Sequence, residues 1–149
     1  MRAFSLSWST RDGWSESPAP LGGVDVQLLL AFGPTMAPGA EWFAEVAATW
    51  PAARIVYVTS GGQMAGRDVV DEPVVVTGLA FESAQVNIAC GSGLGTEETC
   101  EAMGVRLGRE LAADTALRHV LVFADGLRVN GAALTRGFAA ALPAHVMLS

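Results

Sequence analysis

Two short glycine-bearing stretches carry the groups that could bind a small charged ligand. The first, the Ser60 turn (residues 60–62), consists of Ser60, Gly61 and Gly62. The second, the Asp125 loop (residues 125–131), contains Asp125, Gly126, Asn130 and Gly131. Glycines allow backbone N–H groups to approach a ligand carboxylate, and an aspartate carboxylate pairs with an ammonium group. A zwitterion that resembles an amino acid would satisfy both stretches.

Asp125 and Asn130 of the Asp125 loop also have ordinary structural explanations. Asp125-Gly126 is common turn chemistry, in which the carboxylate accepts hydrogen bonds from local amides and the glycine tolerates a positive φ. Asn130 precedes an apolar helical pattern and is a good N-cap for a helix reaching about Leu142. These residues alone support the structural and the functional interpretation equally.

A predicted α/β fold positions both stretches, with a mixed β-sheet and about three packed helices in layers. Alternating or continuous apolar runs predict strands, and helical spacing of apolar residues predicts helices. The predicted strands cover residues 3–9, 24–32, 54–59, 74–81, 84–90, 120–123 and 144–148. The predicted helices cover residues 40–50, 97–113 and 131–142.

Several details of this fold are specific expectations. Residues 74–81 and 84–90 are predicted to form a hairpin, and residues 120–123 a strand buried on both faces. Thr96 is predicted to cap the second helix. Helical spacing predicts buried stripes on the first two helices, Trp42, Phe43, Val46, Ala47 and Trp50 on one and Met103, Leu107 and Leu111 on the other.

The Ser60 turn and the Asp125 loop are expected at one edge of the sheet. Each follows the carboxyl end of a predicted strand, and in a parallel arrangement these ends lie together, where α/β sheets bind ligands. No catalytic residue is predicted there. The predicted ligand-binding residues are Ser60, Gly61, Gly62, Asp125, Gly126, Asn130 and Gly131.

Cofactor and metal motifs are incomplete. Gly91-Ser-Gly-Leu-Gly95 is followed by threonine, where a dinucleotide-binding motif needs its third glycine. Cys90 and Cys100 have neither zinc-site nor redox spacing and are expected to be small apolar fillers. The sequence therefore predicts neither a cofactor nor a metal.

Hydrolysis of a small amide or ester is the enzymatic alternative, with Ser60 or Cys90 as the nucleophile. Ser60 lacks the preceding glycine of a nucleophile elbow. His119 and His145, the two histidines, lie at predicted strand starts, where an imidazole is usually satisfied or solvent-facing. Ligand binding without catalysis is therefore the leading hypothesis.

Composition narrows the classes of partner. The chain has 149 residues, 51% of them hydrophobic and 16% charged, with a net charge of −6. The chain has no run of basic residues, so a nucleic-acid partner is not expected. The longest apolar stretches are too short to span a bilayer, and no signal peptide is evident, so a cytoplasmic location is expected.

Two motifs resemble a known family. Residues 123–138, Phe-Ala-Asp-Gly-Leu-Arg-Val-Asn-Gly-Ala-Ala-Leu-Thr-Arg-Gly-Phe, resemble the F-S-D-G-L…N-G…L-x-x-G stretch in the N-terminal half of the FIST domain. Residues 54–64 are similar to its strand followed by S-T-A-G-E-I, with Gln63 where the family usually has an acid. The resemblance implies a prokaryotic intracellular sensory domain that binds small ligands such as amino acids.

The similarity extends from about Gln27 to Ser149, and the downstream half of the family does not follow it. We therefore expect one FIST N-like domain over residues 1–149, an incomplete half of a larger module. An apolar terminal strand with Val146, Met147 and Leu148 needs a neighbour, which predicts self-association or a second chain supplying the missing half. A structural half-domain without ligand chemistry is the third alternative.

Overall fold

A computed structural model of the chain describes residues 1–18, 25–34, 41–65, 68–70, 73–92 and 95–149. The predicted loop at residues 91–95 and the starts of the predicted strand 24–32 and helix 40–50 lie partly outside the described residues. The chain forms two compact units, Met1–Val86 and Asn87–Ser149. Each unit has its own hydrophobic core.

The unit Met1–Val86 contains a mixed sheet with one helix. In chain order its elements are β1 (Arg2–Ser9), β2 (Gly13–Trp14), β3 (Leu28–Gly33), α1 (Glu41–Thr49), β4 (Arg54–Thr59), β5 (Gln63–Ala65), β6 (Asp68–Val70) and β7 (Val74–Ala80). Within the described residues the main sheet has five strands in the order β2-β1-β7-β3-β4, and β5 pairs with β6. Strand β3 is parallel to β4, and α1 connects them.

The central strand of this sheet is β7, and its position overturns the predicted hairpin. Strand β7 is antiparallel to β1 on one side and to β3 on the other, so both of its edges are already paired. No unpaired edge of β7 is therefore available for residues 84–90 to pair with, and these residues form no strand. The hairpin prediction was wrong because both real partners come from earlier in the chain.

Alternation of apolar and polar residues explains how this sheet packs. In β1, Leu6 and Trp8 are buried as the period-two pattern predicts. Helix α1 contributes the buried residues Trp42 and Val46 to the same cluster, and Trp50, directly after the helix, joins them four residues further on. Phe43 was predicted to join them but is 48% exposed, so that part of the predicted stripe was wrong.

The unit Asn87–Ser149 contains two long helices and a short parallel strand pair. Its elements are α2 (Glu97–Ala112), β8 (His119–Val120), α3 (Gly131–Ala141) and β9 (Met147–Leu148). Strands β8 and β9 are parallel, with α3 as the crossover between them. The expected strands at 120–123 and 144–148 are shorter than predicted. Val120 is buried but Leu121 is 51% exposed, so the prediction of burial on both faces was wrong.

Small residues make the contact between α2 and α3. The buried residues of α2 are Cys100, Gly104 and Gly108, which are four residues apart and form one line. The predicted stripe of Met103, Leu107 and Leu111 is only partly buried beside that line. Cys100 is the apolar filler that was expected, whereas Cys90 is exposed.

The α/β prediction is confirmed, with a mixed five-stranded sheet and three helices in the described part of the chain. Thr96 caps α2 as predicted: its side chain accepts a hydrogen bond from the Thr99 amide at 3.2 Å. No helix among the residues described has the length and apolar character needed to cross a membrane.

Candidate functional site

The Ser60 turn begins where β4 ends, as the sequence predicts. The Ser60 amide donates to the carbonyl of Gly33, the last residue of β3, at 2.8 Å. Its hydroxyl donates to the Gly62 carbonyl at 2.5 Å and accepts from the Gly62 amide at 3.3 Å. These bonds hold the turn at the carboxyl ends of two adjacent parallel strands.

Tyr57 fixes the strand end beside this turn. Its hydroxyl donates to the Pro34 carbonyl at 2.8 Å, and burial raises the pKa of Tyr57 above its usual range. A Cβ at Gly33 would lie 2.6 Å from the Tyr57 hydroxyl oxygen. Gly33 is therefore required by close packing, and it keeps the Ser60 turn next to β3.

Gly61, by contrast, is not required by the fold. Among the described residues other than its chain neighbours, none has an atom within 4 Å of the position that its Cβ would occupy, and its φ is not positive. Gly61 is exposed, and its amide has no hydrogen-bond acceptor within the described residues. The turn thus presents a backbone N–H on an exposed glycine, a group that can donate to an anion.

Gln63 lies directly after the turn and was not among the predicted site residues. Its side chain is buried, with 3% exposure for the residue, and Nε2 donates to the Ser60 carbonyl at 3.3 Å. Its Oε1 is buried without a hydrogen-bond partner among the described residues. A glutamine is usually exposed, so the sequence did not predict its burial. The one feature of the sequence that set Gln63 apart was that the family usually has an acid at this position.

In the Asp125 loop, one carboxylate oxygen has a structural role. Asp125 Oδ1 accepts from the amides of Leu127 at 2.9 Å and Arg128 at 3.3 Å, which is the predicted turn. Oδ2 has no partner in the part of the chain that the structure describes. Gly126 tolerates a positive φ but does not adopt one: Gly13 is the one described glycine with a positive φ.

Asn130 caps α3 as predicted. Its Oδ1 accepts from the Ala133 amide at 3.0 Å. Asn130 is exposed. The next residue, Gly131, begins α3, and apart from its chain neighbours no described residue has an atom within 4 Å of its Cβ position. The helix cap uses Oδ1 of Asn130, which leaves the side-chain amide group for a ligand.

The two stretches belong to different units, the Ser60 turn to Met1–Val86 and the Asp125 loop to Asn87–Ser149. Each follows the carboxyl end of a parallel strand in its own unit, β4 and β8 respectively. Their binding to one ligand molecule stays a prediction.

A comparison with protein families identifies the kind of domain that carries these two stretches. The family model described as FIST N domain matches residues 27–148, most of the chain. The chain belongs to the FIST N domain family. FIST domains are a family of sensory and signal-transduction domains. No curated protein and no solved structure matches the chain.

Both stretches of this FIST N domain fall inside the family match. The Ser60 hydroxyl donates to Gly62, and its unit contains no histidine. His119 Nε2 lies 2.7 Å from the Ser149 hydroxyl. No cluster of three metal-ligating side chains occurs in the described ranges of the chain.

Proposed function

We propose that this FIST N domain is a sensory domain that binds a small zwitterion of the amino-acid type, with the Ser60 turn and the Asp125 loop as its candidate ligand-binding stretches. The open amide of Gly61 carries the proposal. A glycine that neither packing nor backbone conformation requires is explained by the approach of a ligand to its N–H group.

Each stretch offers chemistry suited to one of the two charges of such a ligand. The Gly61 amide donates to the ligand carboxylate. Asp125 keeps Oδ1 on its own loop and offers Oδ2 to the ligand ammonium, in a charge-assisted hydrogen bond.

We propose further that ligand occupancy is read by an associated signalling protein in the cytoplasm. A ligand shifts a conformational equilibrium only as far as it binds the two states unequally. Association with a second chain, or with a copy of itself, is part of this proposal and is measured by light scattering.

Thermal unfolding with each of the twenty standard amino acids tests the proposal. A ligand at one hundred times its Kd stabilises the folded state by about 2.7 kcal/mol. For a chain of this length, each kcal/mol of added stability raises Tm by about 2–4 °C. We expect at least one amino acid to raise Tm. If none does at millimolar concentration, the ligand proposal is wrong and the structural half-domain takes its place.

Gly61→Ala and Gly95→Ala form a matched pair of variants for the Ser60 turn. Apart from the chain neighbours, no described residue has an atom within 4 Å of either added methyl group, and neither glycine has a positive φ, so both variants should retain wild-type stability. The methyl group of Gly61→Ala should weaken ligand binding by about tenfold or more, because it obstructs the amide. Gly95→Ala should bind like the wild type.

Asp125→Asn is the matched variant for the Asp125 loop. It preserves the acceptor that bonds the Leu127 and Arg128 amides and removes the charge. We expect unchanged folding and weaker binding of the responding amino acid. Equal binding by wild type and Asp125→Asn would remove Asp125 from the site.

A further inference from the structure

Gln63 has a buried hydrogen-bond acceptor that the folded chain leaves unused. Its carboxamide lies against the Ser60 turn, because Nε2 donates to the Ser60 carbonyl. Oε1 belongs to the same carboxamide, is buried and has no partner among the described residues. Buried polar groups almost always have partners, so an unpaired one needs an explanation.

The orientation of this carboxamide follows from its one hydrogen bond. Exchanging Oε1 and Nε2 would place a carbonyl oxygen against the Ser60 carbonyl oxygen, where neither atom can donate. The unpaired atom is therefore an acceptor, and its missing partner is an N–H or O–H donor.

We propose that Gln63 is a ligand-binding residue whose Oε1 accepts a hydrogen bond from the ligand's amino group. The inference rests on the proposed function and makes it more specific: the Ser60 turn and the residue after it would contact both ends of the zwitterion. The Gly61 amide takes the carboxylate, and Gln63 takes one of the three donors of the ammonium.

Because Oε1 is buried, ligand binding at Gln63 requires a shift of the Ser60 turn. Oε1 is closed off in the ligand-free protein, so an amino group reaches it only when the turn shifts. The ligand-free state contains an unsatisfied acceptor, and the bound state satisfies it. The ligand therefore binds the shifted turn more tightly, which is the unequal binding that a sensory domain requires.

Ligand selectivity tests this role. The probes are the amino acid that raises the wild-type Tm and its deaminated analogue, the corresponding carboxylic acid. We expect the wild type to bind the amino acid about 10–100 times more tightly than the analogue, the range for one hydrogen bond to a charged group. In Gln63→Met, which is similar in size and has no acceptor oxygen, this ratio should fall by about tenfold or more.

A second variant guards against loss of folding. Gln63→Glu retains an acceptor at the same place, and its carboxylate lies against the Ser60 carbonyl oxygen in place of the Nε2 donor. It should lower the ligand-free Tm and show a larger Tm increase than the wild type with the amino acid. Gln63→Met should be at least as stable as the wild type without ligand, because it buries no unpaired acceptor.

The possible outcomes separate the two proposals. A selectivity ratio that survives in Gln63→Met and is lost in Asp125→Asn overturns the role of Gln63 and leaves the sensory proposal standing. If Gln63→Met lowers the ligand-free Tm and binds both probes like the wild type, the side chain serves folding alone. If no amino acid stabilises the wild type, both proposals fail.

Discussion

Gly104 of α2 and Gly137 of α3 meet backbone to backbone. A Cβ at Gly137 would lie 2.9 Å from the Gly104 Cα, and a Cβ at Gly104 would lie 3.0 Å from the Gly137 Cα. Real Cβ atoms essentially never approach other heavy atoms so closely. The two helices therefore pack at a separation that only glycine at both positions allows.

Gly137→Ala should destabilise the unit Asn87–Ser149. Its methyl group would overlap the backbone of Glu101 and Gly104, so the helices must separate. Such overpacking costs about 1–3 kcal/mol or more, which exceeds the gain of about 1 kcal/mol in helix propensity. Urea unfolding followed by far-ultraviolet circular dichroism measures the loss, because α2 and α3 contain most of the helical residues described.

Gly131→Ala is the control for this prediction. Gly131 is also a residue of α3, but no atom lies within 4 Å of its Cβ position. Without ligand, the variant should equal or exceed the wild type in free energy of unfolding. Equal stability of the Gly137→Ala and Gly131→Ala variants would show that the helices do not pack this closely in solution.

Arg136→Gln should have a smaller effect than Gly137→Ala, and one that depends on salt. Arg136 joins α3 to α2 through Glu97 and Glu101, and the hydrogen bond with Glu97, followed by that with Glu101, raises the pKa of Arg136. These side chains are about half exposed, so solvent and ions screen the attraction. The difference from wild type should shrink as sodium chloride is added to the unfolding assay.

Sequence patterns were most successful where the determinant was local. The strand at Arg54–Thr59 has the predicted bounds, and both helix caps, Thr96 and Asn130, occupy their predicted positions. A cap depends on a side chain and amides within three residues, and a strand pattern depends on consecutive side chains. The Ser60 turn and the Asp125 loop were found for the same reason.

Features that depend on distant parts of the chain were missed. The pairing of β7 with β1 joins Val74 to Trp8, a relationship that no local pattern contains. The α2–α3 contact uses glycines, which a search for large apolar residues passes over. Gln63 was missed because its burial comes from the packing around the turn, whereas a glutamine in sequence indicates a surface position.

Tyr57 should ionise above pH 10 in the folded protein. Burial disfavours the tyrosinate and raises the pKa of Tyr57 from 10.0. It is the single tyrosine of the chain, so the ultraviolet absorbance of tyrosinate reports this side chain alone. The titration midpoint of the native protein should lie above that in concentrated urea. Coincident midpoints would contradict burial of the hydroxyl.

The same shift determines how stability depends on alkaline pH. Because the folded pKa is raised, the contribution of Tyr57 is fully present below the unfolded value near 10 and is lost as the pH rises through the folded pKa. At neutral pH, Tyr57→Phe should lose about 1 kcal/mol with the hydrogen bond to Pro34. Above pH 10 this difference should shrink, as urea unfolding monitored by tryptophan fluorescence will show.

Asn130 allows a structural role to be separated from a ligand-binding one. Asn130→Ala removes the acceptor for the Ala133 amide and should cost about 1 kcal/mol of stability. Asn130→Asp retains an oxygen at the cap and should restore most of that loss, with an added benefit from negative charge at the start of α3. Urea unfolding without ligand measures both changes.

Ligand affinity in these variants then shows which atoms of Asn130 matter. Asn130→Asp replaces the side-chain amide group, a donor, with a carboxylate oxygen while the cap remains. If that amide group donates to the ligand carboxylate, Asn130→Asp should fold normally and bind the responding amino acid at least tenfold more weakly, because a donor becomes a repelling charge. If Asn130 serves only as a cap, Asn130→Asp should bind the amino acid with the affinity of the wild type. That result would show that Asn130 is not a ligand-binding residue.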